Sequence, residues 1–152
     1  MKLAEALIER ADLQKRMEQL KARVLRNAKV QDGDNPAEDP KELLKELETL
    51  SLRHEDLVKR INRTNAKTNF ENNATIADVI ATRDRLKALQ NIHNDLAQES
   101  TVTQVRFSRS EVKFKSVVDV ASVQKKADTF AREYRELDNA LQALNWTTEL
   151  LD

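Results

Sequence analysis

The strong helix breakers of this chain are confined to one short stretch. The only Gly, Gly33, and the two Pro, Pro36 and Pro40, lie within eight residues of one another. Because Gly and Pro are the residues that most often interrupt regular structure, the rest of the sequence is free to form long helices. Residues 30–40 also contain four carboxylates and no basic residue. The sequence therefore predicts one acidic loop between two long helices.

Apolar residues recur at steps of three and four on both sides of this loop. Residues 2–28 follow the pattern with Arg10 as a polar interruption, and residues 39–67 follow it with His54 in the gap. Such spacing places the apolar side chains on one face of each helix. An Asp-Pro pair opens the second helix, where Asp can accept free backbone N–H groups and Pro lacks a donor that would be orphaned. Two similar helices joined by one loop predict a long antiparallel helical hairpin.

Two further long helices and a short ribbon are expected after a segment rich in Asn and Thr. Thr75 is a suitable cap for the third helix. Between residues 102 and 118 apolar residues alternate with polar ones, and a period of two is typical of strands. We therefore expect a small β-hairpin near residues 102–118, with its loop at 108–111. The fourth helix begins at Asp119 or Ser122 and runs to the end of the sequence.

The fourth helix carries the most regular apolar pattern of the chain. Its seam has alternating steps of four and three, with one polar position, and consists of Val123, Ala127, Phe130, Tyr134, Leu137, Leu141, Leu144, Thr148 and Leu151. A heptad seam is typical of a helix that packs against a partner helix, which is either another helix of the same chain or that of a second copy. Trp146 lies off the seam and is expected to cover a second apolar surface, since its indole is large. The candidate assembly residues of this helix are Phe130, Tyr134, Leu137, Leu141, Leu144 and Trp146.

The composition favours long helices over a compact mixed fold. Charged residues make up 34% of the 152 residues and aromatic residues only 4%, which is typical of helices packed through narrow stripes. We expect one domain, residues 1–152, that is mainly α. It comprises the helical hairpin, two further long helices in a bundle or coiled-coil arrangement, and the small β-hairpin.

The sequence contains no recognisable catalytic or metal-binding pattern. Neither His54 nor His93 has a Glu three residues before it, as a helical metal site would need, and we expect both to be buried and hydrogen-bonded. The chain has no Cys and one Gly, which excludes thiolate chemistry and a Gly-rich phosphate loop. We expect no enzymatic activity, no cofactor and no metal. A cation at the acidic loop and a small-molecule ligand are left open.

The predicted β-hairpin is basic, with Arg106, Arg109, Lys113 and Lys115 against the single carboxylate of Glu111. Two Phe lie among these residues, and basic and aromatic side chains together can bind single-stranded nucleic acid. In a strand, however, the Phe and the basic residues would point to opposite faces. The chain also has 26 basic and 26 acidic residues, whereas a nonspecific nucleic-acid binder is normally basic. Nucleic-acid binding is therefore the alternative, and an acidic surface such as the loop of a neighbouring copy is the expected partner.

The start of the sequence is not typical of a secreted protein. Glu5 and Glu9 interrupt the apolar residues there, whereas a secretory signal needs an uncharged apolar run. No uncharged stretch is long enough to span a bilayer. We therefore expect a cytoplasmic protein that does not act on membranes.

Several motifs spread over nearly the whole chain occur together. They are Lys-Leu-Ala-Glu-Ala-Leu at 2–7, Arg-Ala-Asp-Leu at 10–13, the acidic Pro loop, Arg-Ile-Asn-Arg-Thr-Asn at 60–65, Thr-Arg-Asp at 82–84, Ser-Arg-Ser-Glu at 108–111 and Asn-Trp-Thr-Thr-Glu-Leu at 145–150. Together they resemble a family of small bacterial helical proteins of unknown function, whose members are sometimes labelled septicolysin. The resemblance implies the helical fold and supplies no catalytic residue.

The septicolysin label is borrowed from a thiol-activated cytolysin, a class with a Cys in a Trp-rich membrane-binding segment. This chain has no Cys and one Trp, so a membrane-active protein is the disfavoured alternative. The function that we expect is that of a structural or interaction protein, which forms a homo-oligomer through helical seams and the ribbon.

Overall fold

Four long helices make up most of the described chain. The computed structural model describes residues 1–102 and 113–152. In chain order, the helices are α1 (Leu3–Arg26), α2 (Pro40–Lys67), α3 (Ile76–Ser100) and α4 (Val120–Thr147). The prediction of a mainly helical protein is confirmed.

The second and third helices begin at the polar residues that the sequence predicted. The Asp39 carboxylate accepts a hydrogen bond from the backbone N–H of Lys41 at 2.9 Å, and Pro40 is the first residue of α2. Thr75 Oγ1 accepts from the N–H of Asp78 at 3.2 Å, while the N–H of Thr75 donates to the Asp78 carboxylate at 2.8 Å. The bonds from the Thr75 backbone and side chain lower the pKa of Asp78. Both caps satisfy first-turn N–H groups that have no partner inside the helix.

The chain divides into two compact units. The first unit consists of Met1–Asn69 together with Gln142–Asp152, and the second unit consists of Phe70–Leu141. The boundary between them falls within α4, so the last turns of that helix belong to the first unit. The single domain expected over residues 1–152 stays a prediction.

The first unit is built on α1 and α2, which run antiparallel. Near the start of α1, Glu9 accepts a hydrogen bond from Arg53 of α2 at 2.7 Å, and near its end Arg23 donates to Glu38 at 3.0 Å. These contacts confirm the predicted helical hairpin. The removal of apolar side chains from water is its main source of stability. The apolar residues buried in this unit are Leu3, Ala4, Ala6, Leu13, Leu20, Leu43, Leu57, Ile61 and Leu150.

Two polar residues interrupt the apolar stripes of the hairpin, as the sequence indicated. Arg10 Nε and His54 Nε2 are both buried, and neither has a hydrogen-bond partner among the residues that the structure describes. This differs from the hydrogen-bonded role predicted for His54. His93 does have a partner, since its Nδ1 lies 2.7 Å from the carbonyl oxygen of Leu89.

The residues after α4 leave the helix and pair with the first residues of the chain. The N–H of Leu3 donates to the carbonyl of Thr148 at 2.9 Å, and the N–H of Leu150 donates to the carbonyl of Met1 at 2.8 Å. We call this pairing of residues 1–3 with 148–151 the clasp. It corrects the prediction that the helical seam continues through Thr148 to Leu151. The helix ends at Thr147, the carbonyl of Thr148 accepts from Leu3, and the N–H of Leu151 donates to Thr64 Oγ1.

The second unit begins with a tight loop before α3. Asn72 and Asn73 have φ angles of 51° and 63°, a left-handed conformation that Asn tolerates better than most residues. The loop is closed by the N–H of Phe70, which donates to the carbonyl of Ala74 at 2.8 Å. The apolar residues buried in this unit are Ile76, Val79, Leu86, Ala97, Ala127 and Leu141.

The β-hairpin predicted near residues 102–118 is wrong for the part that the structure describes. Residues 113–118 form no strand, since four irregular residues are followed by a bend. Ser116 Oγ donates to the carbonyl of Val118 at 2.9 Å, and such local bonds compete with strand pairing. A ribbon of two strands is also marginal in water without a further partner. The rest of the prediction falls on residues 103–112, which lie outside the described residues.

Candidate interaction surface

Two residues of the α4 seam, Phe130 and Tyr134, contact α3 within the second unit. The ring centroids of Phe130 and His93 are 5.1 Å apart in an edge-to-face arrangement, a favourable geometry for two rings. Lys87 Nζ lies 5.3 Å from the centroid of the Tyr134 ring, within the range of a cation–π contact. These two seam residues therefore have partners in their own chain.

The remaining seam residues proposed for assembly are also covered to a large extent. Leu141 is only 2% exposed, and Leu137 and Leu144 are half-buried. A role of these residues in contacts between copies stays a prediction. Because burial has already removed most of this surface from water, the seam leaves little apolar area for a second chain.

Trp146, the candidate off the seam, is 55% exposed. Its surroundings are fixed by the clasp: Lys2 Nζ donates to the carbonyl of Thr147 at 3.2 Å. Hydrogen bonds from the Lys2 side chain and the amino group of Met1 lower the pKa of Glu149. The large side chain of Trp146 is therefore exposed to solvent, next to backbone that the clasp fixes by hydrogen bonds.

Residues 113–117, which we call the exposed segment, carry the most exposed large apolar side chains of the described chain. Phe114 is 82% exposed and Val117 is 90% exposed. Together with Val102, these two residues line an open cavity of about 360 Å³. Lys113 and Lys115 are exposed on either side of Phe114, whereas the other two basic candidates, Arg106 and Arg109, lie outside the described residues.

An open cavity of about 440 Å³ lies at the start of α2 and is acidic. We call it the acidic groove. The pKa of Glu38 is lowered because Arg23 donates hydrogen bonds to it, and Asp39 caps α2. The residues that line the groove include Glu38, Asp39, Glu42, Leu43, Lys45 and Glu46.

The described residues contain no cluster of three or more His, Cys, Asp or Glu side chains arranged to hold a metal ion. None of the helices in residues 1–102 and 113–152 combines the length and the apolar character needed to cross a membrane.

Sequence reasoning missed the acidic groove as a surface separate from the loop. Glu42 and Glu46 are four residues apart, a spacing that places them on one face of a helix. That spacing was visible in the sequence. The cavity that these residues line also depends on the bond between Arg23 and Glu38, which brings the loop against α1. The spacing of residues in the sequence does not predict that contact.

Comparison with known proteins places the chain beside proteins without a described function. The family described as "Family of unknown function (DUF6847)" matches residues 10–150. The chain is similar to a functionally unknown conserved protein from Corynebacterium diphtheriae, known from a crystal structure, with 49% sequence identity and a TM-score of 0.93. The similarity covers 99% of each chain. No protein with a curated description matches the chain.

Proposed function

The chain belongs to the DUF6847 family of unknown function. From the side chains exposed on its surface, we propose that it is a non-catalytic structural protein that self-associates. The cytoplasm is the compartment that we propose for it, in keeping with a chain that has no Cys to form disulfides.

The observation that carries this proposal is the clustering of apolar side chains at the exposed segment. Phe114, Val117 and Val102 line one cavity and are 82%, 90% and 46% exposed. Single exposed apolar residues are ordinary on protein surfaces, but a shared patch marks a site of interaction. Trp146 supports the proposal as a second exposed anchor, since Trp is enriched among the residues that contribute most to interfaces.

The experiment that tests self-association is size-exclusion chromatography with light scattering over a wide range of protein concentrations. We expect the wild type to show a mass that is a multiple of one chain. The double variant Phe114→Ser with Val117→Ser should move to the mass of one chain, because it removes the apolar patch. Circular dichroism of each variant verifies that the helices are retained.

A matched control is available on α2. Leu52 is 67% exposed, and it lies outside the exposed segment, so Leu52→Ser should leave the mass unchanged. A wild type with the mass of one chain at every concentration would contradict the proposal. Loss of assembly in Leu52→Ser to the same extent as in the double variant would contradict the choice of surface.

Nucleic-acid binding is a second candidate that one observation favours. Residues 113–116 form no strand, so they need not alternate between two faces as the residues of a strand do. Lys113, Phe114 and Lys115 are all exposed, so each of the three side chains is accessible to a nucleic acid. Fluorescence anisotropy with a labelled single-stranded oligonucleotide tests this candidate, and salt-sensitive binding that is lost in Lys113→Glu would support it.

Membrane activity is the least supported alternative. It predicts that the protein releases dye from liposomes, with an apolar helix face as the membrane contact. A protein that assembles in solution and releases no dye would exclude it.

A further inference from the structure

We propose that the exposed segment of one copy binds the acidic groove of a second copy. This inference rests on the proposed function, because it names the partner of the surface through which the chain is proposed to assemble. The two surfaces carry charges of opposite sign at similar spacing, and each includes an apolar residue between its charges.

Both surfaces carry charged side chains without an ion-pair partner. Among the residues that the structure describes, neither Lys113 nor Lys115 forms a salt bridge, and the same is true of Glu42 and Glu46. Complementary charges on two surfaces steer encounter and fix the register of a complex. Glu46 does interact electrostatically with Arg23, so Lys113, Lys115 and Glu42 are the groups most available to pair between copies.

The spacing of the charges is compatible on the two sides. Glu42 and Glu46 are separated by one helical turn, so their Cβ atoms are about 6 Å apart. Lys113 and Lys115 are two residues apart in irregular chain, which spans at most about 7 Å. Both lysines can thus reach both carboxylates at the same time.

The residue between the lysines supplies the apolar contact. Phe114 is exposed and lies between the two lysines in sequence. Leu43 lies between the two glutamates in sequence and lines the groove. Leu43 is almost fully buried, so it forms an apolar floor. Contact at this floor would remove apolar area of the Phe114 ring from water, and Leu43 would contribute only an apolar base for the ring.

The wider charge distribution favours a second copy over nucleic acid as the partner. Residues 30–49 contain seven carboxylates against two lysines. Such a region attracts the basic segment of another copy and repels phosphate groups. Because the two surfaces differ, each copy offers one of each, and assembly proceeds head to tail into a ring or an open chain.

The experiment is a charge swap followed by light scattering and sedimentation velocity. The first variant, Lys113→Glu with Lys115→Glu, reverses the segment, and the second, Glu42→Lys with Glu46→Lys, reverses the groove. Each variant alone should associate at least about tenfold more weakly, since two exposed ion pairs are lost and replaced by repulsion. An equal mixture of the two should restore the mass of the wild type, because each reversed surface then meets its complement. The first variant alters no helix, so its loss of assembly cannot be due to helix unfolding.

Lys125→Glu with Lys126→Glu, on α4, is the matched control, because it changes the net charge equally at two exposed lysines. The inference is overturned if both charge-reversal variants assemble like the wild type while Phe114→Ser with Val117→Ser does not assemble. In that case the proposed function still stands, because the apolar patch is needed for assembly and the charges are not. A mixture that fails to restore assembly also overturns it. A wild type with the mass of one chain rejects the proposed function itself. Oligonucleotide binding that is lost in the first variant, with assembly unchanged, assigns the segment to nucleic acid instead.

Discussion

The backbone N–H of Leu151 donates a hydrogen bond to Thr64 Oγ1 at 3.0 Å, although the two residues are 87 positions apart in the sequence. The Thr64 side chain is completely buried. Its hydroxyl also donates to the carbonyl of Arg60 at 2.8 Å. One hydroxyl group therefore joins the end of α2 to the segment that follows α4.

Replacement of Thr64 by Val is expected to destabilise the protein. Val has nearly the same shape but accepts no hydrogen bond, so the N–H of Leu151 loses its acceptor. We expect the free energy of unfolding to fall by about 1–3 kcal/mol, measured by urea denaturation. Hydrogen exchange at the Leu151 amide should become faster in the same variant. Unchanged exchange at Leu151 would show that the bond contributes nothing.

Leu141 and Trp146 lie close in sequence but should respond very differently to truncation. Leu141 is buried, so Leu141→Ala leaves a cavity and is expected to lower the free energy of unfolding by about 2–5 kcal/mol. Trp146 is mostly exposed, and Trp146→Ala should change it by less than about 1 kcal/mol. Thermal unfolding of dilute samples measures both changes. Equal losses in the two variants would place Trp146 in the core, in conflict with its exposure.

The Glu149 carboxylate should make part of the stability dependent on pH. Its pKa in the folded chain is lowered by hydrogen bonds from Lys2 and from the amino group of Met1. A lowered folded-state pKa means that the ionised group stabilises the fold above the ordinary pKa of Glu, and that this contribution disappears as the pH falls through the folded-state value.

The difference in melting temperature between wild type and Glu149→Gln should therefore be full at neutral pH and should shrink in acid. Glu136→Gln, at an exposed position of α4, controls for the loss of one negative charge. A difference between wild type and Glu149→Gln that is equal at neutral and acidic pH would contradict the prediction.

Replacement of His54 by Leu is expected to stabilise the helical hairpin. His54 Nε2 is buried without a partner among the described residues, and a buried polar atom in that state costs about 1–3 kcal/mol. Leu fits the apolar stripe and removes the unpaired atom. We expect a higher melting temperature for His54→Leu and no such gain for His93→Leu, because His93 has a hydrogen bond and an aromatic contact. A lower melting temperature for His54→Leu would indicate that the imidazole has a partner in solution.

The features that sequence predicted well depend on neighbouring residues. Asp39 and Thr75 are within three residues of the N–H groups that they cap, so their role follows from local chemistry. The single acidic loop likewise follows from where Gly33 and the two Pro lie. Such features need no knowledge of the rest of the fold.

The features that sequence predicted poorly depend on distant contacts. The heptad pattern showed that Phe130 packs against a helix, but not that its partner is His93 of the same chain. Thr148 fits the heptad register, yet its carbonyl bonds to Leu3 instead of continuing the helix. The alternation around Phe114 is short, and a strand forms only where another strand pairs with it.

The division of the first unit between the two ends of the sequence affects the order of folding during synthesis. Residues 70–141 are translated after the α1–α2 hairpin and before residues 142–152, which complete the unit. Until then Leu3 and Thr64 lack the partners that the clasp and Leu151 provide. Contacts across so many residues form late because loop closure must precede them. The α1–α2 hairpin can therefore form from contacts that are closer in sequence, whereas the first unit is complete only after residues 142–152 have returned to it.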